Sequence, residues 1–256
     1  MKKLLVIVTL IVCGAAIIFG NIHWKNKISA HGEKEKSNSA AVLTEEESNT
    51  GNDTYLYSKN LPEHLQKKIA EAANTGKPVK LVIYGTSSEK GAWSESFSKE
   101  LQAAYGEDVF AVTVLSTGDK TTRDLVNDDS FEQVNELQPD ILLFEPSMLK
   151  DNGVVGISNT LENIQTMIAS WKAANQNMTL MIQPPNPLYS ATYYPKEVAQ
   201  LQDYSAENKI IYLNHWENWP DLEDVKMEEY LTEDNKANEN GNKIWADYLK
   251  EYFIAK

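Results

Sequence analysis

Apolar positions along this chain fall into two alternating rhythms, one with helical spacing and one made of short unbroken runs. Leu61, Leu65 and Ile69 recur every four residues, with Asn60 placed to cap a helix and Asn74-Thr75-Gly76 to stop it. VKLVIYG (79–85) then reads as a strand covered on both faces. Trp93, Phe97 and Leu101 restore the helical period, and VFAVTVL (109–115) gives a second strand. Phe131, Val134 and Leu137 mark a helical stretch before Pro139, and DILLFEP (140–146) is a third strand. Leu161, Ile164, Ile168 and Trp171 predict an amphipathic helix, opened by Asn159 with Glu162 three residues on. MTLMIQP (178–184) is the fourth strand, Val198, Leu201 and Tyr204 the next helix, and IIYLNHW (210–216) the fifth strand. The last helix carries Ile244, Trp245, Tyr248, Leu249, Tyr252 and Phe253. Five apolar strands separated by helices predict an α/β fold, a three-layer α/β/α sandwich around a five-stranded parallel sheet.

The start of the chain has a different pattern. Lys2 and Lys3 precede an apolar run from Leu4 to Phe19, the form of an export signal. Ile18-Phe19-Gly20 makes a poor cleavage site, and Ile22 and Trp24 extend the run toward a membrane interface. Residues 1–24 are therefore expected to be an uncleaved signal anchor, a single transmembrane helix with all that follows on the extracytoplasmic side. Cleavage and secretion is the alternative. Cys13 suggests lipidation, but Val12 stands where a small residue is needed. Residues 25–60 mix charges with Ser, Asn and Gly and read as a flexible tether. Residues 61–256, roughly 195 of them, are enough for one domain.

Composition narrows the function classes. The net charge is −13, and Arg123 is the single arginine among 24 basic residues. Phosphate contacts need clustered cations, so nucleic acid is excluded as a partner and a polyanionic substrate is disfavoured. The lone Cys13 excludes an internal disulfide and a cysteine-based zinc site, and no cofactor or metal is expected.

Sites in such sandwiches form where loops leave the carboxyl ends of the strands. These loops read Gly85-Thr86-Ser87-Ser88, Ser116-Thr117-Gly118-Asp119, Glu145-Pro146-Ser147 running on to Asp151-Asn152-Gly153, Gln183-Pro184-Pro185-Asn186-Pro187, and Asn214-His215-Trp216. Taken in order over residues 77–256, they resemble the blocks of the SGNH (GDSL-type) hydrolase family, mostly esterases, lipases and carbohydrate acetyl-esterases with a flavodoxin-like sandwich. Gly85-Thr86-Ser87-Ser88 stands for Gly-Asp-Ser-Leu, and Gly118 for the block-two glycine. Glu145-Pro146-Ser147-Met148 stands for Gly-x-Asn-Asp, and Glu233-Asp234-Asn235-Lys236-Ala237-Asn238 for Asp-x-x-His-Pro-Asn.

The resemblance implies Ser87 as nucleophile and the Gly118 N–H as an oxyanion donor. The block-three asparagine falls on Ser147, with Asn152 able to supply the missing amide. At block five Lys236 replaces the histidine and Glu233 its aspartate partner. His215 is the candidate substitute base, with Asp221 or Glu217 to orient it, or else a packed histidine beside Trp216. Tyr189, Tyr193 and Tyr194 are candidates for a substrate-binding sugar platform, or for rim packing. Glu145 and Asp151 suggest a carboxylate pair, but no spacing in the sequence sets their separation. The expectation is a membrane-anchored ester hydrolase, an esterase or deacetylase of cell-envelope or carbohydrate esters. The alternatives are a catalytically silent module that binds a glycan or an envelope partner, and an acyltransferase.

Overall fold

The computed structural model describes residues 57–86 and 91–255. The chain runs α1 (Glu63–Thr75), β1 (Val79–Gly85), α2 (Trp93–Tyr105), β2 (Phe110–Ser116), α3 (Thr122–Asn127), α4 (Gln133–Leu137), β3 (Ile141–Phe144) and α5 (Met148–Asp151). It continues through α6 (Ile157–Ala174), β4 (Thr179–Ile182), α7 (Tyr194–Glu207), β5 (Ile211–Tyr212) and α8 (Glu239–Phe253), with 3-10 turns at His215–Asn218 and Val225–Tyr230 before α8. The five strands are parallel in the order β2-β1-β3-β4-β5.

The strand period sorts side chains onto two faces. Leu81 and Ile83 of β1 join Ile69 of α1, Phe97 of α2 and Trp245 of α8 in one buried cluster. Val82 and Tyr84, one residue out of step, join Ile164 and Trp171 of α6 and Leu201 of α7 in the other. Both faces of β1 are therefore covered, which is why its run is apolar at nearly every position. Each fully buried Leu, Ile or Phe among them contributes about 1.5–3 kcal/mol relative to exposure.

The boundaries differ from the pattern in three places. β5 has two residues where a strand of seven was expected, because the Leu213 N–H makes the last ladder bond to Ile182 O, at 2.8 Å, and the chain then coils into the 215–218 turn. β2 is an edge strand with Thr113 and Val114 open to solvent, although its sequence reads like a central one. The folded part also starts before Leu61. Ser58 is fully buried, the Tyr57 ring lies 5.9 Å from that of Tyr105, and the Ala255 N–H donates to Tyr57 O at 2.8 Å. Asn60, expected to cap α1, instead donates from Nδ2 to Glu251 O at 3.0 Å and ties the start of α1 to α8. The apolar run 4–19 and the tether through residue 56 lie outside the described residues. Among the described residues no helix is long and apolar enough to cross a membrane.

Candidate active site

The chain leaves β1 for β2 on one side of the sheet and returns to β3 on the other, so a crevice opens at the carboxyl ends of β1 and β3. A cleft of about 520 Å³ lies there. Thr86, which follows β1, lines it together with Gly118 after β2, Asn152 after α5 and Lys236 before α8. Ser87 lies outside the described residues, as do Ser88, Glu89 and Lys90; Thr86 and Gly91 on either side of them both line the cleft.

Each wall has a local cause. Gly118 adopts φ +58, a left-handed conformation that glycine reaches without strain, although a Cβ there would meet open space. Its N–H donates to Ser116 Oγ at 3.0 Å. The stretch from Thr232 to Lys236 is a tight loop, closed by Thr232 N–H to Lys236 O (2.8 Å) and by the antiparallel pair Leu231 and Ala237. Asn186 Nδ2 donates to Asn235 O at 3.0 Å, pinning that loop to the segment after β4. Asn242 Oδ1 accepts from Trp93 N–H at 2.9 Å while its Nδ2 donates to Ala237 O, so one amide joins α2, α8 and the loop.

Electrostatically the cleft is mixed. Lys150 forms an ion pair with Asp119, and that hydrogen bond, more than the nearby charge of Lys236, holds the Asp119 carboxyl below its usual range. Behind the cleft Glu145 is fully buried, and Thr86 Oγ1 donates to its Oε1 at 2.6 Å. Among the described residues no group of His, Cys, Asp and Glu is arranged to hold a metal ion.

No protein-family model and no curated protein matches the chain. Solved structures do match it in fold. A GDSL-like lipase from Bacteroides thetaiotaomicron is 17% identical, with 73% of this chain and 96% of that one covered and a TM-score of 0.52. An acetylxylan esterase from Geobacillus stearothermophilus is 14% identical, covering 68% and 94% at a TM-score of 0.55. A carbohydrate esterase of family 3 from Talaromyces cellulolyticus is 12% identical, covering 67% and 94% at 0.55. The chain has the SGNH/GDSL hydrolase fold. The cleft holds Gly118 and Lys236, which the sequence comparison set against blocks two and five, and Thr86, which precedes Ser87 in the chain.

Other expected site residues are placed elsewhere. His215 is not at the end of a strand but in the 215–218 turn, with no exposed surface. Its Nδ1 accepts from Trp219 Nε1 at 3.0 Å, its Nε2 donates to Pro184 O at 2.9 Å, and its ring stacks on Trp245 at 3.9 Å. Burial, the largest influence, pushes its pKa down to about 3. With both nitrogens engaged inside the core it has no lone pair for a substrate, so the relocated-base expectation is corrected to the packing role.

The tyrosines do not form a platform. Tyr194 is buried in one core cluster, Tyr189 packs partly against the other across the sheet, and Tyr193 is 75% exposed. Their spacing in sequence straddles the start of α7, which turns consecutive side chains to different sides. Ser147, at the block-three position, is buried and donates to Thr117 Oγ1 at 3.3 Å, leaving Asn152 as the one of the two that reaches the cleft. Glu233 is exposed on its loop and does not line the cleft, whereas its neighbour Asp234 does. Asp151 is buried and accepts from Thr122 N–H (2.8 Å), Thr122 Oγ1 (2.5 Å) and Thr160 Oγ1 (2.6 Å), a scaffold role that removes it from any catalytic pair. Thr86, Lys150, Asn186 and Asn242 were not singled out by sequence; only their positions beside recognised blocks marked them.

Proposed function

We propose that the chain is a membrane-anchored, extracytoplasmic ester hydrolase, an esterase or deacetylase acting on cell-envelope or carbohydrate esters through Ser87. The observation that carries this reading is the cleft at the ends of β1 and β3, which Gly118, Asn152 and Lys236 line together with Thr86. Ser87 Oγ attacks the acyl carbonyl, with Lys236 as the block-five side chain that relays the serine proton to the leaving alcohol, and water then releases the acyl group. The Gly118 N–H and the Asn152 amide stabilise the oxyanion. To do so, the Gly118 N–H turns from Ser116 Oγ to the substrate. The acetylxylan esterase among the fold neighbours makes acetylated polysaccharide the first polymer to assay.

A fluorophosphonate probe tests the reading directly. It should label the full-length chain at Ser87, S87A should lose the label, and acetyl or butyryl esters should be hydrolysed by the wild type alone. A second reading, a binding module on a hydrolase fold, is favoured by one observation: among the described residues no histidine lines the cleft. An unlabelled chain with no ester turnover would establish that second reading in place of the first.

A further inference from the structure

Glu145 is a fully buried carboxylate at the carboxyl edge of β3, in a place where packing alone does not call for one. A buried polar side chain normally has a hydrogen-bond partner, and the partner shows what the position serves. Its surroundings are closely fitted. A Cβ on Gly85 would come within 2.6 Å of Glu145 Cβ and 2.9 Å of its Oε2, so β1 approaches the glutamate at a distance only glycine permits. Immediately beyond that contact, Thr86 Oγ1 donates to Glu145 Oε1 at 2.6 Å, a short bond that joins the end of β1 to the end of β3. Thr86 lines the cleft and Ser87 follows it in the chain. The buried Tyr194 hydroxyl is raised well above the usual phenol range, first by burial and then by the proximity of Glu145.

We infer that Glu145 is a positioning residue: through Thr86 it fixes the path of the chain as it leaves β1 for Ser87. The inference rests on the serine reading for its kinetic consequence, but not for its structural one. Glu145 acts as a hydrogen-bond acceptor and does not touch substrate. The acceptor atom and the threonine hydroxyl matter, and the charge itself does not.

The test compares full-length wild type, E145Q, E145A, T86V and T86S by kcat and KM on p-nitrophenyl acetate and by hydrogen exchange of the peptide spanning residues 84–92. E145A and T86V should lower kcat by about tenfold to a hundredfold with KM within about threefold, the signature of a misplaced nucleophile. They should also speed exchange of that peptide by about tenfold while leaving β3 and β4 unchanged. E145Q and T86S keep the hydroxyl-to-oxygen contact and should stay within about threefold of wild type in both readouts. Where E145A fails to fold, T86V carries the test. Wild-type exchange in T86V overturns the inference, and so does a loss in E145Q equal to that in E145A, which would assign the effect to charge. A wild-type chain that neither takes the fluorophosphonate label nor turns over ester would end the serine reading, and the exchange measurement would still decide the role of Glu145.

Discussion

His215 shows how burial alone decides what a titratable side chain does. Enclosed between Trp219, Trp245 and Pro184 O, it stays neutral until the pH falls to about 3, whereas an unfolded histidine takes up its proton near pH 6.5. Between these values the unfolded chain binds a proton that the folded chain refuses. The stability this residue preserves is therefore complete above about pH 6.5 and is lost as pH falls toward 3, at about 1.4 kcal/mol per pH unit. Urea midpoints measured between pH 7.5 and 5 should show that slope, and H215F should flatten it. H215A should cost about 3 kcal/mol or more, since it empties an aromatic site and strands the Trp219 N–H. At this scale the sequence was a partial guide. Gly118, Asn152 and Lys236 reached the cleft because their positions are tied to strand ends, which the apolar runs mark well. For His215 and the tyrosines the sequence left packing and function both open, because a residue near a strand end faces either core or solvent, and one residue of register decides which.

Among the elements, α8 and the loop before it hold the site's far wall. Asn238 caps the helix by accepting from the Asn240 and Gly241 N–H groups, and Asn242 bonds back to Trp93. N238A should cost about 1 kcal/mol, the usual loss for an N-cap. N242A should cost about 1–3 kcal/mol, because the buried end of α2 loses its acceptor and the Ala237 carbonyl loses its donor. Urea unfolding reads both, and N242A alone should also lower ester turnover, since it loosens the loop that carries Lys236. Close approach adds a second constraint here: a Cβ on Gly241 would meet Tyr230 O at 2.4 Å. The order of the five strands and the longer helices was legible, because periods of 3.6 and 2 survive without knowledge of neighbours, whereas α3 and α5 are too short to show a period. The length of β5 and the edge position of β2 were not, since ladder bonds to other strands set them and an apolar run reads alike at the edge and at the centre.

For the whole molecule, the two apolar clusters on either side of one parallel sheet are what the alternation of runs requires. The placement of the chain in the cell rests instead on Lys2-Lys3 and the run from Leu4 to Phe19. Protease added to intact cells should remove the domain and leave a short membrane-bound stub; full protection until lysis would end the extracytoplasmic reading. The bond from Ala255 N–H to Tyr57 O, with Tyr105 Oη donating to Phe253 O at 2.7 Å beside it, has a separate consequence. It brings the entry and exit of the folded chain to one point, so the backbone there is almost a closed ring. A permuted gene joining residue 255 to residue 57 through a few glycines, and reopened at the exposed turn Asn208-Lys209, should yield a protein of the same melting behaviour. Its new ends would emerge between α7 and β5, at the amino ends of the parallel strands and so away from the carboxyl ends where the cleft lies, which makes that turn the place to attach a reporter without crowding the cleft.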